Sequence, residues 1–365
     1  MEKSVRILLF ATICMAVFFG FAPNFWLGRG ELNFAVLHVF LFNLTAGGTL
    51  VTAWFRGKKR MDTFGAAFYL FAIVFTIGAA FHYTPACVAT ALVLSAMVES
   101  VRWKRFSLFP DIFFKRAPVS DKFGHAALLC LSSGLAICAA TLVNNEYLKL
   151  FYLEKLDMHV FFLGFSFPIS LSIFSTVFKR IESTGRHYPR IFGEFCFWGL
   201  NLGVISFFFF IIFEIYPLQM VAALALFGAT ILTIIMHVTR SERGDEWLML
   251  SSAFGFLILG SLTGIFYVLI LWKSAAYTSG GFMSLHSAAT IFGWNLTWIL
   301  VTSRHKKLPL AVGTGKLVVM HWAFVLLIPP ARTDATFSVI ATIACLALLG
   351  LFFFSPPSDR TNVSA

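Results

Sequence analysis

The stretch FAVLHVFLFNLTAGG, residues 34–48, places one histidine, His38, near the start of a long apolar run. Similar stretches return twice, as LDMHVFFLGFSFPIS at 156–170 and as FMSLHSAATIFGWNLTW at 282–298. With its flanks, each belongs to an apolar run of about 20 residues, the length at which a helix crosses a bilayer. The three stretches therefore predict membrane helices that each carry a histidine.

The composition extends this prediction to the whole chain. Of the 365 residues, 59% are hydrophobic, 12% are charged and 45 are Phe, whereas about 25% of the residues in a soluble domain are charged. No polar stretch is long enough to form a separate soluble domain. We predict an all-α, polytopic membrane protein with a single transmembrane domain, 1–365, surrounded by the lipid bilayer.

Apolar runs predict about twelve transmembrane helices. The first is kept as a helix because it is too long for a signal peptide and lacks a small-residue cleavage site. The predicted spans are 6–28, 32–55, 63–81, 84–103, 124–143, 157–178, 191–213, 217–239, 246–272, 281–303, 310–329 and 334–354.

The net charge of +11 follows the membrane topology. With the N-terminus inside, 22 of the 28 basic residues fall in cytoplasmic loops and tails, five fall outside, and Lys316 lies within a span. Cytoplasmic loops of membrane proteins carry such an excess of Lys and Arg. The distribution predicts a multi-pass protein of the cell inner membrane with both termini in the cytoplasm, and it argues against a nucleic-acid partner.

The three histidines recur at a regular interval. His38 lies in span 2, His159 in span 6 and His286 in span 10, at separations of 121 and 127 residues, or four spans each time. Asn43-Leu44-Thr45 and Asn295-Leu296-Thr297 also recur. Internal repetition of this kind predicts repeat units of four helices. The expected units are 1–122, 123–244 and 245–365.

A histidine within a membrane span is stable only when it is paired or ligated. One interpretation is a hydrogen bond between helices, and the other is axial ligation of a haem iron by neutral imidazoles. The three histidines lie near the outer ends of their predicted spans, and this shared depth, together with the regular interval, favours a haem held between two facing helices that each supply one histidine. His159 and His321 are further candidate metal ligands. Lys316 lies near His321 in span 11, as a functional polar pair or as a satisfied interior pair.

The chain resembles the haem–copper oxidase subunit I superfamily, particularly its small NnrS-like relatives. The resemblance rests on twelve spans, an inside N-terminus, a threefold grouping and histidines on spans 2, 6 and 10 toward the outer side. In that superfamily spans 2 and 10 supply the ligands of the low-spin haem, which implies that His38 and His286 bind a haem b here. Span 6 supplies a copper ligand, which corresponds to His159.

Three departures from that superfamily bear on the copper centre. Span 10 has Ser284 where a second histidine is expected, span 7 (192–205) lacks the usual histidine pair, and Leu163 replaces a tyrosine four positions after His159. Copper in such a site needs about three imidazoles. We therefore expect no copper and no reduction of oxygen at a binuclear centre.

Three functions remain open at this point. The resemblance implies a haem-binding protein that takes part in electron transfer or in the response to nitric oxide and respiratory stress. The alternative is a secondary transporter of a small solute, with the histidines handling protons or substrate, and a third is a non-catalytic assembly subunit. The sequence contains no metalloprotease, P-loop, dinucleotide or serine-hydrolase motif. It assigns no catalytic residue and no redox partner, so enzymatic activity stays open.

Overall fold

The fold was analysed in a computed structural model, which describes residues 1–25, 32–150, 162–185, 188–273, 280–304, 308 and 310–358. These residues form helices and no named strand; the only bridge recorded among them joins Leu310 and Pro357. The twelve helices are α1 Lys3–Phe21, α2 Phe34–Phe55, α3 Thr63–Ala80, α4 Thr84–Arg105, α5 Val119–Leu148, α6 162–183, α7 Arg190–Ile212, α8 Tyr216–Arg240, α9 Asp245–Lys273, α10 280–303, α11 Thr314–Ala331 and α12 Ala335–Phe354.

This architecture confirms the prediction of an all-α, polytopic membrane protein. Among the described residues, ten helices are long and apolar enough to cross a membrane, and the other two are α6 and α10. Most helix boundaries agree with the predicted spans to within four residues, but α5 extends five residues further at each end, α1 ends seven residues earlier and α6 ends five residues later. The start of predicted span 6, with His159, lies outside the described residues.

Helices that follow one another in the chain mostly pack side by side, and α12 returns to pack against α1. Inside this closed ring, α6 contacts both α2 and α10, and the rings of Phe42 and Phe292, 5.1 Å apart, join α2 to α10. In the most apolar stretch of α2, 72% of the residues are buried inside the protein, compared with 22% in that of α7. The three histidine-bearing spans are therefore the centre of the bundle, and helices such as α7 present their apolar side chains to lipid.

The first residues of the chain and the last residues of α12 lie at the same end of the bundle. The amino group of Met1 donates to the carbonyl of Ser303 at the end of α10 (3.0 Å), and Arg6 donates to the carbonyl of Phe353 at the end of α12 (2.6 Å). In the nearby α2–α3 loop, Arg56 pairs with Asp62 and holds the pKa of that carboxyl at about 2. We call this the basic end.

Each central helix contains a π-helical segment: Leu41–Gly48 in α2, Phe162–Ser166 in α6 and Ala288–Asn295 in α10. π-Helical turns are rare and are frequently found at functional sites. The segment of α2 begins three residues after His38, and that of α10 begins two residues after His286. In the sequence, Phe162 likewise follows His159 by three positions. These π-helical segments lie within the three recurring stretches of sequence, 34–48, 156–170 and 282–298.

Candidate haem-ligating site

His38 lies about one turn into α2. The first turn of this helix is capped by the side chain of Asn33, which accepts from the amide of Val36 (3.1 Å). Its Nδ1 lies 2.7 Å from the carbonyl oxygen of Ala16 in α1. A carbonyl oxygen can only accept, so Nδ1 carries the proton and Nε2 is left with its lone pair. No part of the chain that the structure describes forms a hydrogen bond with that Nε2.

His286 has the same arrangement at the other end of the chain. Its Nδ1 donates to the carbonyl of Gly260 in α9, at 2.8 Å. Within the described ranges its Nε2 also has no hydrogen-bond partner. Both rings are half-buried. In each case the preceding helix fixes the tautomer of the histidine, and the nitrogen that remains can serve as a ligand.

A glycine stands beside each ring, four residues after the accepting carbonyl. A Cβ atom added at Gly20 would lie 2.6 Å from Nδ1 of His38, and one at Gly264 would lie 3.3 Å from Nδ1 of His286. Small residues spaced by four allow membrane helices to approach closely. The pairs Ala16/Gly20 and Gly260/Gly264 are thus part of the site. The sequence analysis missed them, although this spacing in the preceding helix was the available signal.

Phe292 connects α10 to the histidine of α2. Its ring centroid lies 5.4 Å from that of His38 and 5.6 Å from that of Phe324. Its carbonyl oxygen accepts a hydrogen bond of 2.6 Å from Nε2 of His321. His321 is buried, with 1% of its surface exposed, and it uses Nε2 for a main-chain contact. The candidate ligand His321 therefore supports the π-helical segment in this structure.

Lys316 does not pair with His321. It lies in the first turn of α11 and is exposed, whereas His321 is buried between α10 and α9, against Phe256 at 4.8 Å. Lys316 and His321 therefore form neither a functional polar pair nor a satisfied interior pair in this structure.

In the other buried histidines Nε2 has a hydrogen-bond partner, although Nδ1 of His125 is buried without one among the described residues. Nδ1 and Nε2 of His237 lie 3.2 and 3.1 Å from the hydroxyls of Ser241 and Ser251. Nε2 of His125 accepts from Arg102 at 2.7 Å. His82 is exposed at a turn. Of the buried and half-buried histidines in the described ranges, His38 and His286 alone combine a protonated, bonded Nδ1 with an unpartnered Nε2.

Asn295 joins α10 to α6 at the level of their π-helical segments. Its amide donates to the hydroxyl of Ser166 (2.8 Å), and its carbonyl oxygen accepts from Ser170 (2.9 Å). Its counterpart in the sequence, Asn43, bonds to the carbonyl of Val39 in its own helix, and its Oδ1 is buried without a partner in the described chain. The repeated Asn therefore has different contacts in α2 and in α10.

The hydrogen bonds of His38 and His286 are of the kind that metal-ligating histidines make. Metal-ligating histidines almost always donate their second ring N–H to a carbonyl or carboxylate, which orients the ring. Nδ1 of His38 and Nδ1 of His286 donate in this way to the carbonyls of Ala16 and Gly260. A site that binds a metal ion through three or more side chains is not found: the described residues contain no such group of His, Cys, Asp and Glu. His159 lies outside them, so the expectation of no copper stays a prediction.

Neither the models of protein families nor the curated proteins compared with this chain match it. The structure defines a multi-pass membrane protein in which two central helices each carry a histidine that is oriented by a main-chain carbonyl of the preceding helix.

Proposed function

We propose that this chain is a haem-binding membrane protein related to the haem–copper oxidase subunit I superfamily and its NnrS-like members. His38 of α2 and His286 of α10 would hold a b-type haem through Nε2. The observation that carries the proposal is the matched pair of Nδ1 contacts with Ala16 and Gly260, at 2.7 and 2.8 Å. Two such histidines on neighbouring central helices suit a low-spin iron.

The residues of the chain then have defined tasks. The two carbonyls fix the tautomer and the plane of each imidazole, and the glycines admit the rings against α1 and α9. Phe42 and Phe292 keep water from the space between α2 and α10. A bound haem supplies one-electron redox chemistry. With His38 and His286 both holding it, such a haem would suit electron transfer or sensing better than catalysis on a bound gas, in keeping with a role in nitric oxide or respiratory stress.

Protein purified from haem-replete cells is expected to show a Soret band. His38→Ala should lose most of it and His286→Ala should shift it, because each removes one of the two histidines that would hold the haem. The matched control is His237→Ala, which removes a buried histidine whose two nitrogens already have hydroxyl partners. The measurements are the absorbance spectrum and the haem content per protein.

A colourless wild-type protein would contradict the proposal and would favour the transporter or the assembly subunit. Equal loss of haem in the His237→Ala control would show that general destabilisation, and not ligation, explains the two site variants. Chromatography in detergent checks that all of the variants remain monodisperse.

We also propose that the basic end faces the cytoplasm, so that both termini lie there in the inner membrane. Cysteines introduced at the exposed residues Lys58 and Arg243 should resist a membrane-impermeant thiol reagent in intact cells. Those introduced at the exposed residues Tyr83 and Tyr147, at the opposite helix ends, should react. The opposite labelling pattern would reverse the orientation without changing the fold.

A further inference from the structure

The surroundings of His38 and His286 differ in how tightly they hold the ring. At Gly20, an added Cβ would lie 2.6, 2.8 and 3.2 Å from three ring atoms of His38, whereas at Gly264 it would lie 3.2 and 3.3 Å from two ring atoms of His286. The His38 ring also packs against the ring of Phe292. Among the described residues no aromatic ring is recorded against His286.

The contact between Phe292 and His38 is itself fixed from two neighbouring helices. His321 of α11 donates to the Phe292 carbonyl at 2.6 Å, an acceptor that lies within the π-helical segment. From α9, Phe256 packs so closely that a Cβ atom added at Gly293 would lie 2.3 Å from its ring. Because the segment is held on both sides, the Phe292 ring has little freedom to move away from His38.

We propose that the haem site is asymmetric. His38 is the fixed ligand, and His321 is its positioning residue, acting through Phe292. His286 is the exchangeable ligand, and a small neutral donor such as free imidazole can take its place. This inference rests on the proposed function, since it concerns the two ligands named there.

The physical reason is the freedom of each ring to rotate. Imidazole leaves an iron when its ring can turn or withdraw, and a ring bounded by helix backbone on one side and an aromatic side chain on the other cannot do so without moving a helix. His38 is bounded in this way. His286 keeps its hydrogen bond to Gly260 but has wider clearance, so its release requires smaller displacements.

The first test compares His38→Gly with His286→Gly, each titrated with free imidazole. His286→Gly should retain most of its haem and regain a six-coordinate low-spin spectrum with imidazole. His38→Gly should bind haem about tenfold more weakly or worse, since it removes the better-oriented ligand. Identical behaviour of the two variants, or rescue of His38→Gly alone, would overturn the asymmetry.

The second test addresses His321 through the low-spin ferric EPR signal, whose position depends on the relative orientation of the two imidazole planes. His321→Leu should shift or broaden the signal at unchanged haem content, and His321→Gln, which keeps a donor for the Phe292 carbonyl, should largely restore it. His237→Leu is the control for loss of a buried histidine and should leave the signal unchanged. An unaltered signal in His321→Leu would refute the positioning role.

These outcomes separate the two proposals. A wild-type protein without haem defeats the proposed function and this inference together. A wild-type protein with a bis-histidine spectrum, combined with indifference to His321 and equal behaviour of the two glycine variants, defeats only the asymmetry.

Discussion

Glu194→Gln is expected to lower the free energy of unfolding by about 3–5 kcal/mol, the effect of breaking a buried ion pair by removing one partner. Lys122 in α5 has 1% of its side chain exposed, and its ammonium lies 2.7 and 2.8 Å from the two carboxylate oxygens of Glu194 in α7. In the variant, Lys122 keeps its hydrogen bond to the carbonyl of Phe113 (2.8 Å), and the side-chain amide at position 194 can still accept a hydrogen bond but carries no negative charge. A buried ammonium would then lack a counter-charge.

The matched control for this prediction is Arg190→Gln. Arg190 pairs with the same Glu194 carboxylate at 3.2 Å, but its side chain is 46% exposed, so its loss should change stability by about 0–1 kcal/mol. The two variants can be compared by denaturant titration in detergent micelles, followed by tryptophan fluorescence. The double variant Lys122→Met/Glu194→Gln should regain part of the loss. Equal effects of Glu194→Gln and Arg190→Gln would show that Lys122 is not buried as described.

Gly134→Ala is expected to destabilise the bundle by about 1–3 kcal/mol or more, the usual effect of overpacking a tight contact. A Cβ atom at Gly134 would lie 2.3 Å from the Cα of Gly164. The added Cβ is fixed to the backbone of α5, and the Cα belongs to the backbone of the π-helical segment of α6. No side chain can therefore rotate to relieve the clash. The two helices would have to separate.

Gly350→Ala is the corresponding control. Gly350 lies within α12, and a Cβ atom added there meets nothing within 4 Å. Because alanine favours helix over glycine by about 1 kcal/mol, this variant should be neutral or slightly stabilised. Thermal unfolding followed by the loss of monodisperse protein measures both variants. A neutral Gly134→Ala would contradict the close contact between α5 and α6.

The sequence was sufficient to predict the class of fold and the positions of the helices. Length and apolarity of the runs are local properties, and a bilayer accepts only segments whose backbone groups are satisfied internally. The central place of α2, α6 and α10 was also predictable, because a histidine in a membrane span is stable only toward the protein interior. The same argument selected the three recurring histidines, and the resemblance to the oxidase superfamily singled out His38 and His286 among them.

Other features depended on contacts between distant segments. Lys122 was assigned to a cytoplasmic loop from its charge, yet α5 begins at Val119 and encloses it beside Glu194. Lys316 and His321 are five positions apart in the sequence but do not meet, because one faces outward and the other inward. In both cases the side chain's environment is set by neighbouring helices, which local sequence does not specify.

The sequence by itself determined that this protein is a helical membrane bundle with histidines at regular intervals, since hydropathy and spacing act along one chain segment at a time. Only the tertiary structure decided which histidine nitrogens have partners. The Nδ1 contacts of His38 with α1 and of His286 with α9, the bond from His321 to Phe292 and the clearance at each glycine all join separate helices. Hydrogen bonds and steric contacts act over a few ångströms, so they exist only once packing has brought those helices together.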